Sequence, residues 1–237
     1  MPFLFDPMYF VFIAPAFLLA MVAQWMVKSA YQKMSRVPAS MTGYQAAKKI
    51  LDHHGLYDVS IEQVPGELSD HYDPRGKVLR LSPGVYQGQS MASVGIAAHE
   101  VGHALQDAKH YAPLVLRNLA VPAASFGSSF GSILLMAGIG MVFMGFGGIL
   151  GKWVFLAGIV CFGLTVVFQV VNLPVEFNAS SRAKVDLVNL GIVSGPELGY
   201  VSKVLNAAAL TYVAATLQAI LTLAYYVMRY MQATSRD

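Results

Sequence analysis

The chain has 237 residues, of which 56% are hydrophobic and only 12% are charged. This composition excludes an ordinary soluble globular protein and indicates a polytopic membrane protein. The formal net charge of +3 comes from dispersed basic residues without an aromatic-interleaved basic stripe, so nucleic acid is not expected as a partner. The single cysteine, Cys161, excludes a disulfide framework and a thiolate metal site, so any transition metal must be held by histidine and carboxylate.

The first apolar run, residues 3–27, is long enough to cross a bilayer and predicts a first transmembrane helix. A cleaved signal peptide is the competing interpretation, but no basic segment precedes the run and no small-x-small cleavage site follows it. Lys28, Lys33 and Arg36 come directly after the run, which favours the cytoplasmic side for this end.

Residues 28–112 carry most of the charges and turn signals, and they predict a water-facing portion with a little α+β structure. Thr42 is a plausible N-cap of a helix that stops at Gly55, and residues 59–64 and 78–82 are strand candidates. Because an extended peptide can add itself to a sheet edge, residues 78–82 are a candidate substrate-aligning strand. An ordinary hairpin between Val59 and Ser82 is the alternative.

A helix predicted at about residues 90–109 carries His99-Glu100-Val101-Gly102-His103. Helical residues four apart share a face, so the two imidazoles can present ring nitrogens to one metal ion. The carboxylate between them is then free to take a proton from a metal-bound water, as in the His-Glu-x-x-His metallopeptidase signature. A chance match is the alternative, but the small and apolar neighbours suit a buried helix better than a solvated histidine-rich loop.

The apolar character returns after Arg117 and predicts further transmembrane helices at residues 119–148 and 153–172. A polar segment at residues 173–203 precedes a fourth helix at residues 204–228. Small residues recur as Gly127-x-x-x-Gly131 and Gly147-x-x-x-Gly151, a spacing that permits close helix approach. These glycine-rich faces can serve packing within one chain, or they can form a homo-oligomer.

The basic residues predict the topology of the four helices. With the amino terminus outside, only Lys152, Arg229 and Arg236 fall on outer segments, as the positive-inside rule expects. Residues 28–112 and 173–203 then lie on the same, cytoplasmic side, where they can share one metal site.

A hydrolytic zinc site generally has three protein ligands and leaves one position for water, so a third ligand is needed beside His99 and His103. Glu176 is the best candidate, because acidic residues are scarce in the second half of the chain and the topology returns this one to the signature. The alternative is a helix N-terminal acid behind Pro174, stabilised by the helix dipole.

The sequence resembles the YugP-type family of bacterial neutral zinc metallopeptidases, which are similar in motif to the CAAX prenyl proteases and heat-shock membrane proteases. The resemblance covers essentially the whole chain. It rests on the first span, residues 68–75 (LSDHYDPR), 78–82 (VLRLS), 85–86 (VY), 99–106 (HEVGHALQ) and 173–177 (LPVEF).

The resemblance implies zinc ligands at His99, His103 and Glu176, with Glu100 as general base. It implies a mainly α, polytopic protein of the bacterial inner (plasma) membrane, with about four transmembrane helices and a small α+β zincin-like cytoplasmic portion. An acid is expected two residues after the ligand glutamate in this family, but Asn178 stands there. The departure bears on the hydrogen bonds that tune the ligands, and it leaves the ligands themselves unchanged.

The expected activity is hydrolysis of a peptide or membrane-protein substrate by a zinc-activated water, with one Zn²⁺ per chain and Glu100 accepting the proton. A second donor for the developing oxyanion is open among five residues. They are His71, Tyr72, His110, Tyr111 and Arg182. The alternatives are an intramembrane protease of the site-2 type and a non-proteolytic membrane scaffold with a structural zinc site. The former normally has its signature inside a span and an aspartate as third ligand.

Overall fold

The computed structural model describes residues 6–145 and 147–235. These residues form seven helices and a small three-stranded mixed sheet, which confirms the predicted mainly α class with a little α+β structure. In chain order the elements are α1 (Pro7–Met34), α2 (Gly43–His53), β1 (Ser60–Gln63), β2 (His71–Asp73), β3 (Val78–Leu81), α3 (Pro83–Tyr86), α4 (Met91–Ala108), α5 (Ala112–Phe143), α6 (Gly148–Asn189) and α7 (Leu198–Thr234).

Four of the described helices, α1, α5, α6 and α7, are long and apolar enough to cross a membrane. Their large apolar side chains are often exposed, as at Phe17, Leu119 and Ile133. Such exposure is costly in water and favourable against lipid, so the four predicted spans are present as candidate membrane helices. The predicted start of the first span at residue 3 lies outside the described residues.

Two helices extend well past the ends of their apolar runs. The first, α1, continues beyond residue 27 to Met34, and α6 continues through Pro174 to Asn189. A change from apolar to polar sequence does not itself end a helix, because the backbone hydrogen bonds continue whichever environment the side chains face. As a result, the first part of the polar segment at 173–203 is helical and continuous with a span.

The chain forms two compact units. The first, here the bundle unit, comprises the described parts of Met1–Met21, Leu116–Asn172 and Tyr212–Asp237. Its core contains Leu135 and Phe155, and α5 and α6 approach closely at glycines. A Cβ on Gly127 would lie 2.4 Å from the Cys161 carbonyl oxygen, so the predicted small-residue motif is used for packing within the chain.

The second, here the site unit, comprises Val22–Val115 and Leu173–Thr211. Its core is built from α2, β3, α4 and the ends of α6 and α7. Thr42 caps α2 as expected, accepting a hydrogen bond from the Gln45 amide at 3.2 Å, while the Gln45 side chain accepts one from the Thr42 amide at 2.9 Å. The residue that follows α6 contacts α2, because Nζ of Lys49 donates to the Leu190 carbonyl at 2.7 Å.

The sheet corrects the prediction for residues 78–82. The strand order is β1-β3-β2, with β3 parallel to β1 and antiparallel to β2. Because β3 is hydrogen-bonded on both sides, it has no free edge for a substrate, and it is not the substrate-aligning strand. The simple hairpin between Val59 and Ser82 is also wrong, since β1 and β3 run parallel with β2 between them in sequence.

Candidate metal centre

The first half of the site lies on α4, a helix enclosed by the core of the site unit. Ser90 caps its start by accepting a hydrogen bond from the Ser93 amide at 3.2 Å. Most of its residues are buried, including the alanines at 97, 98 and 104. His99 and His103 lie one turn apart on this helix with ring centroids 4.8 Å apart, so the spacing predicted from the sequence produces a pair of neighbouring imidazoles.

The second half of the site lies on α6, which crosses α4 at Gly102. A Cβ on Gly102 would lie 2.6 Å from the Ala179 carbonyl oxygen, so only glycine permits this approach of the two backbones. Glu176 lies one turn before Ala179. Its Oε2 is 3.3 Å from Nε2 of His99 and 3.6 Å from Nε2 of His103.

The three side chains form a compact cluster with little access to solvent. One ligand atom from each lies within 4.8 Å of the others. The side chains of His99, His103 and Glu176 are 13%, 11% and 5% exposed. Both histidines and the predicted third residue thus converge on one point, at a separation that suits shared coordination of a single ion.

Gln106 determines the tautomer of His103. The Gln106 Nε2 donates to the Val175 carbonyl at 2.8 Å, and a carbonyl can only accept, so the amide oxygen must be the atom 3.1 Å from Nδ1 of His103. That oxygen accepts a proton from Nδ1. In the neutral ring, Nε2 of His103 therefore carries a lone pair directed at the cluster.

His99 has an equivalent partner. The hydroxyl of Ser180 lies 3.1 Å from its Nδ1 and can accept a hydrogen bond there. This leaves Nε2 of His99 facing Glu176 as well. Each imidazole is therefore hydrogen-bonded at Nδ1, the nitrogen that points away from the cluster. This is the arrangement that orients histidine toward a metal.

The donor set fits a zinc ion. Two imidazole nitrogens and one carboxylate oxygen, all electron-pair donors, face the same small volume. In a nearly dry site such atoms repel each other unless a cation lies among them. Two histidines and one carboxylate are a ligand set that zinc takes in hydrolytic sites, with a fourth position left open.

The electrostatics of His103 show the same preference for positive charge. Burial disfavours its charged form, but the facing carboxylate of Glu176 and the field of Glu100 outweigh burial. Together they raise the pKa of His103 above its ordinary value of 6.5. The cluster therefore attracts a cation, whether a proton or a metal ion.

Glu100 is buried beside this cluster without being one of its three members. It is 9% exposed, and its charge acts on both His103 and Asp70. Asp70, between β1 and β2, accepts hydrogen bonds from the Ser82 amide at 2.7 Å and from the Ser82 hydroxyl at 3.1 Å. The carboxylate of Glu100, beside the three clustered side chains, has the chemistry of a general base.

Asn178, the departure from the expected acid, does not contact an imidazole through any hydrogen bond found among the described residues. Its Oδ1 accepts from Gln106 Nε2 at 3.0 Å and from Arg182 Nε at 2.7 Å. It therefore acts on His103 only through Gln106. An amide oxygen can accept from the same two donors as a carboxylate oxygen, without forming an ion pair with the arginine, so both hydrogen bonds are present with asparagine at this position.

The five oxyanion candidates separate into two groups. Arg182 belongs to the network of the site, and its guanidinium lies 5.9 Å from the ring centroid of Tyr111. The other three candidates do not contact this network through any interaction found among the described residues. Tyr72 donates to Asp107 at 2.9 Å, His71 contacts the Ser69 carbonyl at 2.8 Å, and His110 has a left-handed backbone with φ of 48°.

Two residues that contact the ligand histidines were not predicted as site residues from the sequence. Gln106 lies three residues after His103 and Ser180 lies four after Glu176, so each shares a helix face with a ligand. Helical spacing alone could have nominated both. Their roles depend on which atoms face each other across α4 and α6, and that appears only in the folded chain.

Comparison with known proteins identifies the family of this chain. A family model described as "Putative neutral zinc metallopeptidase" matches residues 9–231. The chain is 45% identical over 233 residues, 97% of its own length and 100% of the relative's, to "Putative membrane protease YugP" of Bacillus subtilis (strain 168). No solved structure matches. The chain belongs to the neutral zinc metallopeptidase family, and it is a membrane protein of that family.

Proposed function

We propose that this chain is a zinc-dependent metalloendopeptidase of the bacterial inner membrane, with one Zn²⁺ held by His99, His103 and Glu176. The observation that carries the proposal is the convergence of these three donors beside the buried carboxylate of Glu100. Outer hydrogen bonds to Gln106 and Ser180 orient both imidazoles, which supports a built site over a chance cluster.

The chain's own residues supply the acid–base chemistry. When bound, zinc lowers the pKa of a water toward about 7 and polarises the scissile carbonyl. Glu100 accepts the proton of the attacking water and delivers it to the amide nitrogen as the peptide bond breaks. Arg182, held by Asn178, is the candidate that the site's own network offers for the oxyanion. No covalent enzyme intermediate forms in this mechanism.

The proposed substrate is an extended segment of a peptide or membrane protein, aligned along β2. In the part of the chain that the structure describes, β2 is an edge strand paired only with β3. It packs against α4, and the hydrogen bond from Tyr72 to Asp107 fixes it there. A peptide that pairs with the outer edge of β2 would therefore be held beside the signature helix.

The proposed location of the site is the cytoplasmic surface of the membrane. Support comes from the basic residues that follow the apolar run of α1 and from α4 itself, which is not among the candidate spans of the described chain. A signature helix outside the spans, with a glutamate as third donor, disfavours an intramembrane protease of the site-2 type.

The proposal is tested with Glu100→Gln in purified, zinc-loaded protein. We expect zinc content unchanged and cleavage of unfolded or membrane-protein substrates reduced by about a thousandfold or more, because the amide cannot accept the proton. Glu67→Gln, at an exposed carboxylate, is the matched control and should cleave like the wild type. A zinc-loaded wild type that cleaves none of these substrates would favour a scaffold with a structural zinc.

A further inference from the structure

A separate groove in the site unit lies between the last turns of α1 and the first turns of α7. Its volume is about 490 Å³. None of its lining residues belongs to the metal centre. Residues of both helices line it, including Trp25, Met26, Lys33, Met34, Lys203 and Ala207.

Lysines on two helices line the groove, and a third lysine lies beside it on α6. Lys33 on α1 and Lys203 on α7 line it, and Nζ of Lys184 on α6 donates to Asn206 Oδ1 at 2.9 Å. No acidic residue is among the lining residues. None of these three lysines forms an ion pair within residues 6–145 and 147–235. This cationic groove is complementary to an anion.

The rest of the groove is apolar and sits where a membrane helix leaves the hydrocarbon. Trp25 is 69% exposed, and the apolar run of α1 ends two residues later, just before Lys28. Exposed tryptophan and lysine at the end of a span mark the headgroup level of a bilayer. Met26, Met34 and Ala207 supply the apolar walls beside the lysines.

We infer that this groove binds one acidic phospholipid, with its phosphate between Lys33 and Lys203 and the start of an acyl chain against Trp25 and Met26. A soluble phosphate would satisfy the lysines but leave the apolar walls uncovered. A zwitterionic lipid would bring a cationic headgroup toward two lysines that have no counter-ion. An acidic lipid satisfies both parts of the groove.

The first experiment measures lipid binding to detergent-solubilised full-length protein by native mass spectrometry. Phosphatidylglycerol should bind to the wild type more tightly than phosphatidylcholine with the same acyl chains. Lys33→Gln and Lys203→Gln should each weaken phosphatidylglycerol binding about fivefold, and the effects should multiply in the double variant. Lys28→Gln/Lys48→Gln removes the same charge away from the groove and should change binding less than twofold. Equal binding by the two double variants, or equal binding of the two lipids, would overturn the inference.

The second experiment does not depend on the lysine variants. The chain has two tryptophans, so Trp153→Phe leaves Trp25 as the fluorescent reporter in the groove. Brominated phosphatidylglycerol should quench Trp25 at lower mole fraction than brominated phosphatidylcholine, in vesicles of otherwise identical composition. Equal quenching would overturn the inference. Loss of the preference with excess inorganic phosphate would identify a soluble anion as the occupant and would also overturn it.

Discussion

Gln106 shows how a single amide can determine the chemistry of a metal ligand. Its nitrogen is committed to the Val175 carbonyl and to Asn178, so its oxygen is left for Nδ1 of His103. Gln106 is fully buried, which makes any unmade hydrogen bond costly. The direction of one side-chain amide thereby fixes which nitrogen of His103 faces Glu176.

Replacing Gln106 by leucine should weaken zinc binding without removing a ligand. We expect about 10- to 100-fold lower zinc affinity, because His103 loses the acceptor that orients its ring. Competition with a chromogenic chelator measures the affinity. Gln87→Leu, at an exposed glutamine, is the control and should bind zinc like the wild type. Unchanged affinity in Gln106→Leu would show that the contact does not orient the ligand.

Asp70 gives a pH-dependent contribution to stability. Burial raises the pKa of its carboxyl above the ordinary value of 3.8, and the hydrogen bonds from Ser82 offset only part of this. A group whose pKa is higher in the folded than in the unfolded chain stabilises the fold fully below the unfolded pKa. That contribution is lost as pH rises through the folded pKa.

The variant Asp70→Asn should remove this pH dependence. The amide stays neutral, and it can still accept from the Ser82 amide and donate to the Ser82 hydroxyl. Its Tm relative to the wild type should therefore increase as pH rises from about 4 toward neutrality, in protein kept with a chelator. Glu67→Gln should show no such trend. A Tm difference between Asp70→Asn and wild type that is independent of pH would rule out the effect.

The crossing of α4 and α6 is the element-scale feature on which the site depends. His103 and Glu176 are 73 residues apart in sequence, and His99 is farther still from Glu176. The close approach at Gly102 brings their two helices together. The helical spacing of the two histidines predicted α4. The predicted membrane topology, which returns Glu176 to the side of the signature, predicted the third ligand. Neither could show that Gly102 is the contact point, because the glycine's partner is a backbone carbonyl without a sequence signature.

Gly102→Ala should separate the two helices. The added methyl would overlap the Ala179 carbonyl oxygen, so we expect destabilisation of about 1 to 3 kcal/mol and lower zinc affinity. Thermal unfolding in detergent and chelator competition measure the two effects. Gly163→Ala, on α6 with no neighbour within 4 Å of the added carbon, should be neutral or stabilising by up to about 1 kcal/mol. Equal behaviour of the two variants would place the crossing elsewhere.

The sheet shows what sequence patterns could not provide. Residues 60–63 and 78–81 were recognisable as strands from their composition, but their parallel pairing was not. Parallel pairing requires a crossover between β1 and β3, and β2 lies within that crossover and pairs with the other side of β3. Strand order depends on tertiary packing against α4, so the edge strand could not be identified from the sequence alone.

At the scale of the whole molecule, the candidate centre draws on two helices that differ in their relation to the membrane. The signature helix α4 is not a candidate span, whereas the helix that carries Glu176 continues from one. The composition predicted the four spans, and the shared side of residues 28–112 and 173–203 predicted the pairing of His99 and His103 with Glu176. What the sequence could not provide was the continuity of α6, since the polarity changes at residue 172 while the backbone remains helical.

The central claim is that His99, His103 and Glu176 hold one zinc ion per chain. Metal analysis of the purified wild type should find close to one zinc per chain. His71→Ala removes an exposed histidine outside the cluster and should keep the same content. His99→Ala and Glu176→Ala should each lose about nine-tenths or more of the zinc, because two remaining donors bind far more weakly than three. Zinc content in Glu176→Ala equal to that of the wild type would contradict the account.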